Sequence, residues 1–308
     1  MESTKGFYDF AVLFDKDENV MRSMVKDLVE LGYKTIAIEQ LFDHTKKDAI
    51  RRSADIFPEP VAIDYLRNEF QQQIRILQRL TIIYSDLAIT HAMTTSFNLR
   101  KYNLIAGQPK TDTALTHCCT TFCGDIVTFD PDAGSKLLVN RKAYQIATKQ
   151  RMFFEIKYAP AIRDSNNRKD MIKIAHNYRV RGKLKNIIFS SGATNVFELR
   201  GPYDVANLAF IFGLSEDQGK NAVDKTCRQL FLRAESRRLG KTIMFVKATG
   251  PICLSDSSET EESDMDEVFA GSVETKTSNK SKSSESSHES EKSEDEMPTQ
   301  PNKRRKDS

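Results

Sequence analysis

Residues 185–213 read KNIIFSSGATNVFELRGPYDVANLAFIFG, and this stretch decides the fold. Asn186 to Phe189 is a short apolar, β-branched run, as a strand covered on both faces requires. It ends in Ser190-Ser191-Gly192-Ala193, a turn whose glycine is free to take positive φ. Val196 to Leu199 is expected as a second extended piece. Arg200-Gly201-Pro202-Tyr203-Asp204 then opens a helix. Pro202 suits the first helical position, Asp204 puts negative charge in the first turn, and Arg200 stands where it can pair with Asp204. The helix is expected over Val205–Phe212, apolar almost all round and therefore buried, with Gly213 as its left-handed cap. Arg200, Gly201, Pro202, Asp204 and Gly213 are accordingly read as structural residues. Strand, polar turn and buried helix together make one β/α unit.

Upstream the pattern repeats. Phe7–Phe14 is a strand candidate, followed by a helix with Val20, Met21, Met24, Val25, Leu28 and Val29 on one stripe. Gly32 ends that helix and Thr35–Ile38 is the next strand, completing a β-α-β unit. Residues 40–75 read as an insertion with some helix, broken at Phe57-Pro58-Glu59-Pro60. Further strands are expected at Ile76–Tyr84, Asn103–Ala106, Asp125–Phe129 and Phe153–Ile156. Helices are expected over His91–Lys101, Thr111–Phe122, Arg141–Lys149 and Asp170–Val180. Seven strands alternating with helices over about 250 residues predict an α/β fold, a TIM-like β/α barrel. An open doubly wound sheet is the alternative, but no G-x-G-x-x-G or G-x-x-x-x-G-K-[ST] follows any strand. After Gly213, Ser215 and Gln218 form a capping box. Its helix should carry Val223, Cys227, Leu230 and Phe231 inward and Lys220, Lys225, Arg228 and Arg233 outward. Thr242–Val246 is expected as a last extended segment.

Composition divides the chain in two. From Ser255 onward there are 15 acidic and 8 basic residues and 14 serines, a balance of −7, so the net +3 of all 308 residues leaves +10 on residues 1–254. Residues 1–254 are read as a basic barrel body and 255–308 as a disordered acidic, Ser-rich tail, too poor in apolar surface to offset its ordering entropy. Ser257, Ser258 and Ser263 sit among carboxylates as phosphorylation candidates. Lys303-Arg304-Arg305-Lys306 is a basic cluster of nuclear-import type. A basic body suits a polyanion, of which nucleic acid is the commonest, although a merely soluble basic surface accounts for the charge equally well. The five cysteines follow no disulfide or zinc spacing; His117-Cys118-Cys119 and Cys123 lack partners for a four-ligand site. No signal peptide and no apolar run near the ~20 residues that span a bilayer is present, so a soluble protein is expected.

The chain resembles the ~30 kDa protein subunit of nuclear ribonuclease P, which archaeal ribonuclease P shares. The likeness runs over residues 7–240. It is carried by Leu31-Gly32-Tyr33 leading into Ile36-Ala37-Ile38, by ILQRLTII at 76–83, and by Phe154-Glu155-Ile156 through Tyr158, Pro160, Ile162-Arg163-Asp164-Ser165 and Arg168. It is most specific at Ser190-Ser191-Gly192-Ala193 and at RGPYDVANL, 200–208. Gln40 departs from the family, which tends to have asparagine there. The resemblance implies a barrel related to the polymerase and histidinol phosphatase fold. It also implies a place in the ribonucleoprotein whose RNA component removes 5′ leaders from precursor tRNA, and in the related ribonuclease MRP of rRNA processing. The implied partners are ribonuclease P RNA, MRP RNA, precursor tRNA within the complex, and a small RRM-like protein subunit. The implied location is the nucleus and nucleolus; no membrane and no cofactor is implied.

Two functions compete for the barrel. A metal-dependent phosphoesterase would use carboxylates at strand ends, where Asp15, Glu39, Asp86 and Asp130 stand. Against it, His44, His91, His117, His176 and His288 form no H-x-H pair of the kind the metal hydrolases of this fold cluster. An RNA-organising subunit with no catalytic or metal-binding residues of its own would instead use cations. Arg75, Arg79, Arg163, Arg168 and Lys169 are the candidate RNA contacts, because such residues grip phosphate oxygens. Several of them, Arg163 beside Asp164 for one, could equally be spent on carboxylates. The turn Ser190-Ser191-Gly192 could present amides to a phosphate or simply connect elements.

Overall fold

Seven strands, paired in parallel and in chain order, make the sheet in a computed structural model that describes residues 5–45, 55–131, 136–137 and 140–240. β1 (Phe7–Leu13), α1 (Glu18–Glu30), β2 (Tyr33–Asp43), α2 (Asp64–Phe70) and β3 (Arg75–Tyr84) come first. Two short helices, α3 (Ile89–Thr95) and α4 (Phe97–Lys101), lead to β4 (Leu104–Pro109), and α5 (Asp112–Thr120) leads to β5 (Ile126–Val127). Next come α6 (Arg141–Lys149), β6 (Phe153–Lys157), α7 (Ala159–Arg163), α8 (Ser165–Gly182) and β7 (Ile187–Ser190). A 3-10 turn (Val196–Glu198), α9 (Pro202–Leu208), α10 (Glu216–Val223) and α11 (Lys225–Leu239) complete the body. The expected segment Thr242–Val246, the tail 255–308 and Lys303–Lys306 lie outside the described residues. Among the described residues no helix is long and apolar enough to cross a membrane.

The sheet curls until its two edges meet. The Leu13 amide donates to the Ala193 carbonyl at 3.2 Å, and the Gly192 amide to the Ala11 carbonyl at 2.9 Å. The barrel is therefore nearly closed, by a turn rather than by a full ladder. Gly192 has φ +62°, and an added Cβ would come within 2.9 Å of the Lys157 stem. Only glycine meets both demands. The closing turn uses its own amides: Ser191 donates to Asp9 and Gly192 to Ala11, while Ala193 donates to the Ser191 hydroxyl. None of the three is left for a phosphate.

Local chemistry explains the helix starts. Asp17 caps α1, Ser96 caps α4, Thr111 caps α5, Asn140 caps α6 and Asp164 caps α8, each side chain accepting from amides one turn on. The Ser215–Gln218 capping box forms at the start of α10. Several boundaries differ from the sequence reading. Val196–Glu198 is a 3-10 turn instead of an extended piece, because the Glu198 carboxylate accepts from the amide and hydroxyl of Thr194 and curls the chain back. The buried helix expected through Phe212 ends at Leu208. Single turns follow to Gly213 (φ +84°), and Phe210 and Ile211 are more than half exposed. The single helix expected after Ser215 is two, broken at Asp224 (φ −127°, ψ −86°).

Inside the barrel two zones stack. At the N-terminal ends of the strands, Tyr8, Phe10, Ala37, Leu77, Leu104, Ala106, Ile126, Phe153 and Ile188 form an apolar floor. α11 plugs it with Cys227, Leu230, Phe231 and Ala234. Fully buried Asp125 pins the plug, accepting from Arg233 at 2.7 Å and pairing with Arg237 at 2.9 Å. Arg233, expected on the outer face, is thus turned inward by a carboxylate on the barrel floor. Outside, α1 and α2 cover Val12, Ile36, Ile38 and Ile76, and α3 to α10 cover strands β3 to β7.

Candidate functional site

In a β/α barrel, chemistry belongs at the C-terminal ends of the strands. There the interior turns polar: Glu39 on β2, Arg79 and Thr81 on β3, Glu155 and Lys157 on β6, Ser190 on β7. Arg79 is fully buried and bridges both acids. Its guanidinium makes a forked pair with Glu155, 2.5 Å and 2.7 Å, and lies 3.2 Å from Glu39. It also donates to the Phe10 carbonyl at 2.8 Å and to the Thr81 hydroxyl at 3.0 Å. The Thr81 hydroxyl donates to Glu39, and Lys157 reaches both oxygens of Glu39 at 2.8 Å. Two cations thus balance two carboxylates, and all four carboxylate oxygens are engaged.

The electrostatics follow from this geometry. Burial would raise Glu155, but Arg79, aided by Lys157 and Ser190, holds its carboxyl down at about 2. Glu39 is likewise lowered, because Arg79 and Lys157 outweigh its burial. The guanidinium of Arg79 is raised by the same pairs against its burial. Asp9, also fully buried, shifts the other way. Burial raises it, resisted by hydrogen bonds from Ser191 and Ala11, and its Oδ2 has no partner.

This arrangement can hold the barrel together; it cannot ligate a metal without breaking its own pairs. Among the four carboxylates named from the sequence only Glu39 enters the barrel. Asp15, Asp86 and Asp130 are exposed, and the first two cap local turns at Asp17 and Ala88. Among the described residues no group of three or more His, Cys, Asp or Glu side chains is placed to hold a metal ion. His117 is a core residue, its nitrogens near the hydroxyls of Thr90 (2.7 Å) and Tyr84 (3.3 Å), and burial lowers its pKa.

The candidate RNA contacts do not form one surface. Arg79 is removed from them: a guanidinium with no exposure and four partners cannot reach a phosphate. Arg75 lies at the opposite end of the barrel, its guanidinium 5.3 Å from the Phe231 ring centre. Arg163 is exposed but forks onto Glu198 at 2.6 and 2.8 Å; Asp164, its expected alternative partner, is spent on capping α8. Arg168 and Lys169 are exposed on the first turns of α8, with Arg168 donating to the Ala161 carbonyl. Arg200 does not pair with Asp204. Its guanidinium donates to the carbonyls of Phe197 and Leu199, while Tyr33 and Tyr158 hold its backbone. Pro202 is buried at the start of α9, and Gly201 precedes it with Asp204 3.2 Å from where a Cβ would stand. Gln40, the departure from the family pattern, accepts from the Tyr102 hydroxyl at 2.8 Å.

The sequence model of a family described as RNase P subunit p30 matches residues 6–239. A ribonuclease P protein subunit p30 of Mus musculus is 35% identical over 240 residues, spanning 76% of this chain and 87% of that protein. The chain belongs to the RNase P subunit p30 family. A ribonuclease P/MRP protein subunit of Saccharomyces cerevisiae is 22% identical over 215 residues, 67% of this chain and 70% of that one. Among solved structures, a chain in the cryo-EM structure of archaeal ribonuclease P with mature tRNA superposes with a TM-score of 0.57 at 13% identity, covering 82% of this chain and all of that one. That likeness shows a shared fold, the TIM-like barrel expected from the sequence. In this p30 member the Arg79 network was not found by sequence reasoning. Its signal is a charge inside an apolar strand, arginine within ILQRLTIIY and glutamate within FFEIK.

Proposed function

We propose that this p30-family chain is a non-catalytic, RNA-organising subunit of the enzyme whose RNA component removes 5′ leaders from precursor tRNA. We propose also that it enters ribonuclease MRP. One observation supports the non-catalytic role above the rest: the barrel mouth is filled by the neutral Glu39–Arg79–Glu155–Lys157 network, so a phosphodiester finds neither a free carboxylate nor a free base there. Membership of the family supports the assembly, and the yeast relative named for both ribonuclease P and MRP supports the second. The archaeal complex with mature tRNA supports a place beside RNA. Within that assembly the proposed partners are ribonuclease P RNA, precursor tRNA, other subunits and a small RRM-like subunit; the proposed location is the nucleus, including the nucleolus. Arg168 and Lys169 remain the candidate phosphate contacts, since both are exposed and carry no ion pair among the described residues.

Depletion of the protein tests this. Precursor tRNAs with intact 5′ leaders should accumulate, and tagged protein should bring down ribonuclease P RNA. Normal 5′ maturation after full depletion would refute the assignment. The isolated chain should leave precursor tRNA uncut with magnesium, manganese or zinc. Cleavage that Glu39→Gln abolishes would restore the phosphoesterase reading.

A further inference from the structure

α8 returns to the start of β7, so its end lies at the opposite end of the fold from the barrel mouth. There the end of α8 and the turn after α9 enclose a cleft of about 580 Å³, whose walls include Arg179, Lys183, Leu184, Phe210, Leu214 and Gln218. Phe210 is 53% exposed, although the turn that carries it is anchored by buried Ala209 and Phe212. Arg179 and Lys183 are exposed, one helical turn apart, and neither has an ion pair among the described residues. Among the described residues no carboxylate lines the cleft.

A helix C-terminus attracts cations by itself, since its dipole amounts to about half a negative charge. That accounts for one cation at most. Four stand in the seven residues from Arg179 to Lys185, Arg181 and Lys185 being the others, and all are exposed. The local backbone is shaped around them. Lys183 and Leu184 both take left-handed φ, 53° and 57°, which turns the chain so that both residues line the cleft. At Gly213 (φ +84°) an added Cβ would come 3.3 Å from Arg179 Nη1, so the glycine lets the guanidinium lie over the turn. On the far wall stands Gln218, whose Oε1 accepts from the Ser215 amide in the capping box.

We propose that this cleft holds one nucleotide of a single-stranded RNA segment, its base against Phe210 and its phosphate between Arg179 and Lys183. An exposed aromatic ring beside unpaired cations is the arrangement that binds single strands without reading sequence. A base already paired in a helix could not turn into the cleft. The proposal rests on the reading of this chain as a subunit of an RNA-containing enzyme.

The test uses the full-length chain and a fluorescein-labelled, unstructured RNA of about twelve nucleotides, beside a duplex of equal length, over a range of salt. Phe210→Ala should weaken single-strand binding roughly ten-fold and leave the salt slope unchanged, while Phe210→Trp keeps the parent affinity. Arg179→Gln should weaken binding and lower the slope by about 0.7. Equal affinity of parent and Phe210→Ala for the single strand would overturn the proposal, as would an equal loss for the duplex. If Phe210→Ala leaves oligonucleotide binding intact but strips a protein subunit from the tagged particle, the cleft belongs to a protein and the proposal also fails. If the tagged chain brings down no ribonuclease P RNA while Phe210-dependent binding persists, the functional reading fails and the cleft stands.

Discussion

Replacing Arg79 with methionine tests the view of the barrel mouth as a structural clamp. The side chain keeps similar length and stays apolar, but Glu155 loses both its ion-pair contacts and Glu39 loses one of two cations. Both carboxylates remain fully buried. Removing one partner of a buried pair costs about 3–5 kcal/mol, chiefly because the surviving charge stays desolvated. For a body of this size each kcal/mol moves Tm by about 2–4 °C, so a loss near 4 kcal/mol should lower Tm by about 12 °C at pH 7. The deficit should shrink at pH 5. Without Arg79, the burial of Glu155 is largely unopposed and raises it, while Glu39 keeps Lys157, so protonation of Glu155 relieves the variant at a pH where the parent is still fully paired. Adding Glu155→Gln to Arg79→Met should recover about 2 kcal/mol, since the orphaned charge is gone. Thermal unfolding by circular dichroism on the parent, both single variants and the double variant completes the cycle. A Tm within about 3 °C of the parent for Arg79→Met, or a double variant no more stable than the single, would refute the reasoning.

Acid should weaken the parent in a defined window. Glu155 and Glu39 are depressed in the folded state, so their contribution is complete above the ordinary glutamate value of 4.5 and is lost as pH falls toward about 2. Urea unfolding from pH 7 to pH 3 measures it, and a flat profile would contradict the pairing. Asp9 has the opposite sign: raised when folded, it favours the native state at low pH and loses that advantage as pH rises through its folded value. Asp9→Asn should therefore gain on the parent with increasing pH, read from the same titration. Gly213→Ala places a Cβ at φ +84° and against Arg179, and should cost about 1–2 kcal/mol in thermal unfolding. Asp125→Ala orphans Arg233 and Arg237 and loosens α11; a drop of about 3 kcal/mol and faster amide exchange along residues 225–239 are expected.

The strands were legible because both their faces are covered, which writes each as an unbroken apolar run such as Ile76–Tyr84 or Ile187–Phe189. The same property hid the clamp. In strands apolar on both faces, no alternation marks which residues look inward, so Arg79 read as a surface contact. Its partner Glu155 lies 76 residues away, and a single sequence does not reveal such a pairing. Asp164 and Glu198 show a second difficulty. Both sit near Arg163, and the choice turned on capping: Asp164 accepts from the amides of Asn166 and Asn167, which left Glu198 for the arginine. The break at Asp224 carries no glycine or proline to announce it. Phe210 and Ile211 looked like buried helix only because apolar residues surround them in sequence.

The plug has a consequence in time. α11 is the last described helix, and about fifty residues separate the end of β7 from the end of α11. At a synthesis rate of 5–20 residues per second, a nascent chain spends roughly 3–10 s with all seven strands made and the apolar floor still uncovered. For that interval the half-finished barrel presents Tyr8, Phe10, Leu77, Leu104 and Phe153 to the surroundings, and chaperones that shield apolar surface have their substrate. A chain cut short before α11 should keep that sticky form, whereas one that includes residues 225–239 should cover its floor.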